Sequence, residues 1–261
     1  MDLGIKGKLA MVHGAGGGLG SAVALAMLAE GATVLACDIN ADALENLKTR
    51  AHNSKGTLHT RQWDLSQVDQ FKDWHQEIVK TLGPIEILFN NTGGPPPSLV
   101  HNVDRQAWEK HFQSMVLSVI TMTDLVLEGM KNNGWGRIIT SASSGVVAPI
   151  PNLGLSNTLR SALVGWSKTL AREVGEHGIT TNVIIPGRIA TQRIIQLEEA
   201  KAERENRAVD SVVKESTSSI PLKRYGKPEE YGAAATFLAS KQAAYITGTI
   251  MRVDGGLIAA V

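Results

Sequence analysis

Seven short β-prone runs alternate along this chain with longer amphipathic segments, and that rhythm constrains the fold more than any other feature. The runs are residues 8–13, 32–38, 56–63, 85–90, 136–142, 179–185 and 248–254. The segments between them fall near 18–30, 41–52, 67–81, 104–131, 155–176 and 228–239. The central runs are apolar at consecutive positions, as in ATVLACD (32–38). Strands covered on both faces read this way. Strand, helix, strand, repeated, gives right-handed crossovers and a parallel sheet. The expected class is α/β: one doubly wound parallel sheet of about seven strands, with helices on both faces. No linker or internal repeat divides the chain, so residues 1–261 are expected to form a single domain.

Composition narrows the function. A chain of 261 residues, 43% of them hydrophobic, can bury a substantial core. A formal net charge of +1 gives no electrostatic reason to expect nucleic acid or an anionic membrane as partner. No apolar run approaches the roughly 20 residues that span a bilayer. The start, MDLGIKGKLAMVHG, lacks the layout of a signal peptide, since an acid follows the Met. The single cysteine, Cys37, cannot form an internal disulfide, and a cytoplasmic location is the expectation. Its apolar strand setting points to a buried, inert thiol. The seven histidines show no metal-ligand or triad spacing, so no metal is expected.

The turn after the first run carries the clearest functional signal. VHGAGGGLG (12–20) leaves a strand and opens a helix, with Gly14, Gly18 and Gly20 spaced G-x-x-x-G-x-G. Without a Cβ the backbone can turn sharply and approach a diphosphate closely. The helix that follows offers that anion its unpaired N–H groups and the positive end of its dipole. Its place between strand and helix is that of a Rossmann-like dinucleotide site rather than an ordinary turn. Asp38 closes the second run. A carboxylate there can accept from both adenosine ribose hydroxyls and repels a 2′-phosphate, which favours NAD over NADP. No basic residue follows it in CDINADAL. The plainer alternative is that Asp38 caps the helix starting near Ala41, a role for which Asn40 competes. Asp64, after the third run, can accept from an adenine amino group. In FNNTGGPPP (89–97), Asn90, Asn91, Thr92 and Gly93 would face the cofactor ribose. In IIPGRIAT (184–191), Pro186 and Gly187 turn the chain over the site and Thr191 can bond a carboxamide.

One segment breaks the rhythm. Residues 192–219 insert a charge-dense helical stretch between two late elements. Insertions at the carboxyl ends of strands sit where ligands bind, so a substrate lid is expected there, with a solvated helix pair as the plainer reading.

Taken together, from GKLAMVHGAGGGLGSAVA to AAYITGTIMRVDGG, the chain resembles the short-chain dehydrogenase/reductase family, closest to its bacterial 3-oxoacyl-acyl-carrier-protein-reductase-like members. The resemblance implies a single Rossmann domain, usually a homotetramer or homodimer, that passes a hydride between nicotinamide and a carbonyl or alcohol. It implies cofactor roles for Gly14, Gly18, Gly20, Asp38, Asp64, Asn91, Pro186 and Thr191, with their neighbours Leu19, Leu65, Gly93, Gly187 and Ile189 alongside. His13 stands where the family usually has Thr, and Thr92 where it usually has Ala. Long helices at 104–131 and 155–176 form the subunit interface in relatives, and GGLIAAV at the end is apolar enough to pack on a neighbour.

The departures concern catalysis. The family uses Asn, Ser, Tyr and Lys. The Ser falls on Ser143; the Tyr falls on Ser156, the Lys on Arg160 and the Asn on Met115. A serine hydroxyl cannot supply a phenolate near neutral pH. A positioned acid/base is worth about 10²–10⁴ in rate. Arg160 keeps the positive charge and can bond ribose hydroxyls, so it is expected to touch the cofactor, but it will not give up a proton. Ser156 and Arg160 lie at i and i+4 on one helical face. With Ser143 they form a candidate site in which two hydroxyls clamp a substrate oxygen. Structural roles for Ser156 in a helix turn, Arg160 in a surface ion pair and Met115 in the core are the alternatives. Of the remaining candidates, Tyr225 could replace the phenol, Arg188 could meet an anionic or polyhydroxylated substrate, and His101 and His111 flank the helix leading to Met115. The expected activity is hydride transfer between NAD(H) and a small-molecule secondary alcohol or ketone. A catalytically impaired NAD-binding pseudoenzyme or scaffold is the alternative. Dehalogenation or a lyase step on the same fold is disfavoured by the intact glycine-rich turn and Asp38.

Overall fold

The computed structural model describes residues 2–260. Seven strands form one parallel sheet in the order β3-β2-β1-β4-β5-β6-β7. They are β1 Leu9–His13, β2 Thr33–Asp38, β3 Thr57–Gln62, β4 Ile87–Asn90, β5 Gly136–Ser141, β6 Ile179–Pro186 and β7 Ile250–Val253. Each lies within one of the seven runs expected from the sequence or exceeds it by a single residue, and the class is the expected α/β sheet with helices flanking it. The order reverses between β1 and β4, which opens a crevice at the carboxyl ends of those two strands.

Two-residue periodicity explains why the central strands are apolar throughout. Ala10 and Val12 of β1, with Val34 and Ala36 of β2, pack into one cluster. Leu9 and Met11, with Leu35 and Cys37, pack into another on the opposite face. The first cluster is covered by α1 (Gly18–Ala29), α2 (Ala41–Ala51) and, after residue 220, the helix Pro228–Leu238, through Val23, Met27, Leu44 and Leu238. The second is covered by α3 (Phe71–Leu82), by the long helical segment from Arg105 to Asn132 and by the helix Gly154–Val174, through Phe71, Ile78, Met122 and Leu170. β3, at one edge, is only partly buried and its TLHTRQ sequence is correspondingly mixed.

Two expected elements are subdivided. The segment expected as one helix over 104–131 is α4 (Arg105–Phe112), a π-helical turn at Gln113–Leu117, and α5 (Ser118–Asn132). Neither Pro nor Gly lies there; Gln113 reaches across to donate from its Nε2 to the Ser66 carbonyl at 2.7 Å. After α6 (Gly154–Val174), the inserted stretch is two helices, α7 (Gln192–Glu205) and α8 (Val209–Ser218), parted at Asn206 by a left-handed residue with φ 48°. The helix Pro228–Leu238 is α9. A two-bond bridge between Ile189 and Gly226 closes the base of this excursion, with Ala190 N–H donating to Gly226 and Gly226 N–H to Arg188. Among the described residues, no helix is long and apolar enough to cross a membrane.

Candidate active site

A cavity of about 1030 Å³ runs along the carboxyl ends of the strands and spans the switch point. Its walls come from the loops after β1, β2, β3, β4, β5 and β6, from the start of α6 and from α7.

The glycine-rich turn forms one end. Gly14 has φ +61°, and a Cβ there would meet the Asn91 side-chain nitrogen at 2.6 Å. Asn91 in turn donates from Nδ2 to the carbonyls of His13 and Gly14, at 3.4 Å each, which ties the β4 loop to the turn. A Cβ on Gly18 would strike the Thr191 methyl at 2.6 Å, so the turn also lies against the loop after β6. α1 begins without a side-chain cap, which leaves its first-turn N–H groups available to an anion. Gly20 is buried at the start of α1. It lets α1 press on the turn, because a Cβ at Gly20 would lie 2.0 Å from the Gly14 carbonyl oxygen.

Two carboxylates mark the same end. Asp38 accepts the Gly16 N–H on Oδ2 and the Asn40 N–H on Oδ1, each at 2.9 Å. It does not cap α2; Asn40 does, accepting from Ala43 N at 3.0 Å. Asp64 accepts the N–H and hydroxyl of Ser66 on Oδ1, each at 2.8 Å. Each carboxylate retains lone pairs toward the cavity. Leu19, Leu65, Gly93, Pro186, Gly187, Ile189 and Thr191 line it as well.

Ser143, Ser156 and Arg160 stand together at the other end. Ser143 caps a short turn, accepting from Gly145 N–H at 3.1 Å. Ser156 and Arg160 share the inward face of α6 and are only 9% and 8% exposed. Arg160 is not in a surface ion pair. Its guanidinium donates to the Ser141 carbonyl at 3.2 Å, the Thr92 carbonyl at 3.1 Å and the Gly93 carbonyl at 3.2 Å. It thereby clamps the ends of β4 and β5. Burial draws its pKa down to about 10, with Arg193 nearby acting in the same direction, so it remains a cation at neutral pH. Met115 is buried, on the π-helical turn, and touches the cavity.

None of the described tyrosines lines the cavity. Tyr225 does not replace a phenol there: its hydroxyl is bound to the buried carboxylate of Glu198. Burial, reinforced by Glu198, pushes its pKa up to about 12. Tyr231 is buried behind the sheet end against Ser141, at 2.8 Å, and Tyr245 is fully exposed. His111 reaches the cavity and His101 does not. Leu257, Ile258 and Ala259 of the C-terminal stretch line this chain's own cavity; Val261 lies outside the described residues. Sequence reasoning also missed Ser144, Gln192 and Arg193. Arg193 had a usable signal, as the first cation after the Pro186–Thr191 turn.

A parallel sheet with this order, a glycine-rich turn at its switch point and hydroxyls facing it across one cavity define a dinucleotide-dependent oxidoreductase fold. Residues 14–258 match the family described as Enoyl-(Acyl carrier protein) reductase, and the chain belongs to the short-chain dehydrogenase/reductase family of oxidoreductases. It is 31% identical over 256 residues to the 3-oxoacyl-acyl-carrier-protein reductase FabG of Thermotoga maritima, covering 97% of this chain and 99% of that one. Among solved structures, YwfH, an NADPH dependent reductase involved in bacilysin biosynthesis, superposes with a TM-score of 0.92 at 28% identity, covering 98% of this chain and 100% of that one. L-sorbose reductase from Gluconobacter frateurii, complexed with NADPH and L-sorbose, gives 0.93 at 27% identity over the whole of both chains.

Proposed function

We propose that this protein passes a hydride between a nicotinamide dinucleotide and a secondary alcohol or ketone, with Ser143, Ser156 and Arg160 at the reacting oxygen. One observation carries the reading: a single cavity joins the glycine-rich turn to those three side chains. The cradle suits a dinucleotide, because Gly14, Gly17, Gly18 and Leu19 line the cavity at the uncapped start of α1. Gly14, Gly18 and Leu19 would hold the diphosphate, Asp38 the adenosine ribose, and Asp64 with Leu65 the adenine. Asn91, Gly93, Pro186, Gly187, Ile189 and Thr191 would border the nicotinamide half. When bound, the coenzyme supplies or accepts the hydride.

The chain's own residues do the rest. Ser143 and Ser156 orient the substrate oxygen by hydrogen bonding. Arg160 fixes the β4 and β5 ends that form the floor of the site, and its buried charge favours negative charge developing on that oxygen. Ser156 and Arg160 stand where the family has its tyrosine and lysine, so no phenol serves as acid here. The oxygen exchanges its proton with solvent through the serine hydroxyls. Turnover is accordingly expected to be about 10²–10⁴ slower than with a positioned acid/base. α7 lies over the substrate end and acts as the lid.

On coenzyme choice, the solved neighbours weigh against NAD, since both are described with NADPH. This chain's own lining weighs for it. Asp38 stands beside the glycine-rich turn, and the four arginines that line the cavity among the described residues come from α6, α7 and the loop after β6. We take the residues as the guide and propose NAD. The second reading, a dinucleotide-binding protein without turnover, draws on Arg160 being engaged by three carbonyls. Assembly as a homodimer or homotetramer is also proposed, on the 45% exposed Phe112 and 38% exposed Leu117 of the long helical segment; sedimentation tests it.

Calorimetry with NADH and NADPH, followed by assay of oxidised coenzyme with a panel of secondary alcohols, tests the reading. Binding plus turnover that falls about tenfold or more in Ser156→Ala is the expected outcome. Binding without turnover on any member selects the second reading, and binding of neither coenzyme removes both.

A further inference from the structure

Charge is segregated along the cavity. The carboxylates that line it among the described residues are Asp38 and Asp64, both at the adenosine end. The arginines that line it come from α6, α7 and the loop after β6: Arg160, Arg188, Arg193 and Arg204. Two of them converge. A Cβ built on Gly94 would lie 3.8 Å from Arg193 Nη2 and 4.0 Å from Arg160 Nη2, so both guanidinium groups overhang the same backbone. Among the described residues neither is in an ion pair, and nor is Arg188. Arg193, on the first turn of α7, makes a long hydrogen bond of 3.4 Å to the Pro95 carbonyl. Arg188 buries its Nε with no partner. Arg204, lower on α7, has only a loose 3.9 Å contact with Glu205.

Like charges held together without a counterion repel, and an anion placed between them reverses the sign of that interaction. A low-dielectric cleft lined by one sign of charge also concentrates ligands of the other sign. Guanidinium groups match carboxylate and phosphate oxygens in geometry. We propose that the substrate is an anion, and that Arg193 with Arg160 and Arg188 forms a subsite for its carboxylate or phosphate group beside the reacting carbon. The proposal rests on the oxidoreductase reading for its reacting carbon, and on the cavity's own charge for the anion. It gives α7 a role beyond covering the site: the helix carries the cation that recognises the substrate.

The coenzyme diphosphate is a second source of the same chemistry, and the test separates the two. Inorganic phosphate is titrated calorimetrically into the protein, without and with saturating NADH, for wild type, Arg193→Gln and Arg188→Gln. The proposal expects saturable phosphate binding that survives NADH and weakens about tenfold or more in Arg193→Gln, with NADH affinity unchanged within about twofold. In the assay, secondary alcohols bearing a carboxylate should exceed their methyl esters about tenfold in kcat/KM, and Arg193→Gln should erase that preference. Phosphate binding abolished by NADH, with NADH itself weakened in Arg193→Gln, assigns the arginines to the coenzyme and overturns the proposal. Absence of phosphate binding together with equal use of acid and ester also overturns it. If Arg193→Gln fails to fold, Arg188→Gln decides by the same criteria. Should the protein bind no coenzyme, the oxidoreductase reading falls, while phosphate binding lost in the variants still supports the anion subsite.

Discussion

Asp38 holds two backbone N–H groups and still lines the cavity, so on the proposed reading one carboxylate both shapes the turn and screens the ligand. Replacing it with serine removes a negative charge where a 2′-phosphate would sit. At ribose distance and surface dielectric, that charge is worth about 1–3 kcal/mol against the phosphate. Asp38→Ser should therefore shift the NADPH to NADH affinity ratio toward NADPH by about tenfold to hundredfold, read by calorimetry. An unchanged ratio would show that Asp38 serves the turn alone. Arg160 poses the complementary question of geometry. A lysine keeps the charge but is a point donor and cannot span three carbonyls on two strand ends. Arg160→Lys should cost about 2–4 kcal/mol in urea unfolding, because buried carbonyls lose charge-assisted partners. A loss below about 0.5 kcal/mol would mean that the three bonds add little to stability.

Among the elements, α7 packs chiefly against α8 rather than on the sheet. It is tied down by Tyr225, whose hydroxyl is bound to Glu198, and by ion pairs of Lys201 and Arg207 to Glu215 on α8. The ion pairs are solvent-exposed and contribute little each. The Tyr225–Glu198 contact involves a carboxylate that is 4% exposed, so losing its partner costs about 1–3 kcal/mol locally. Tyr225→Phe should speed hydrogen exchange of residues 192–218 about tenfold or more and leave the sheet amides unchanged. Uniform acceleration across the chain would instead mark Tyr225 as part of the global core. The regular elements were legible because burial on both faces forces apolar runs in β1, β2 and β4, and burial on one face forces helical periodicity in α2 and α6. The π-helical turn at Gln113–Leu117 was not. Gln113 at its start donates to Ser66, forty-seven residues away, and local propensity carries no trace of such a tertiary bond. The split of the inserted stretch at Asn206 left only a weak mark, since Asn tolerates the left-handed conformation but does not require it.

Across the whole molecule, the candidate site was legible wherever chemistry depends on backbone, as at the glycine-rich turn. It was hidden wherever chain-distant side chains converge, as with Arg160 and Arg193 over Gly94. His13 shows the same limit. It ends β1, is 1% exposed, and lies with its ring centroid 5.9 Å from that of Trp63. Burial lowers its pKa from 6.5 to about 4; the neighbouring Asn90 amide offsets this in part, although the imidazole Nε2 and the Asn90 Oδ1 lack a well-aligned hydrogen bond. The consequence is global. Between about pH 6.5 and pH 4 the unfolded chain binds a proton on this imidazole that the folded protein excludes, so stability falls as pH falls through that window. The full difference is about 3 kcal/mol. Burial depresses His75 and His111 as well, which adds in the same direction. Glu215, held near 2 by Lys201 and Arg207, and Glu230, held near 2 by Arg224, act only below their ordinary value of 4.5 and leave most of the window clear. His13→Thr should therefore flatten most of the loss in unfolding free energy between pH 6.5 and pH 4.5, on top of a pH-independent cost for the smaller buried side chain. If the variant loses stability over that range as steeply as wild type, the buried imidazole is not what makes the fold acid-sensitive, and His75 and His111 are the groups to substitute next.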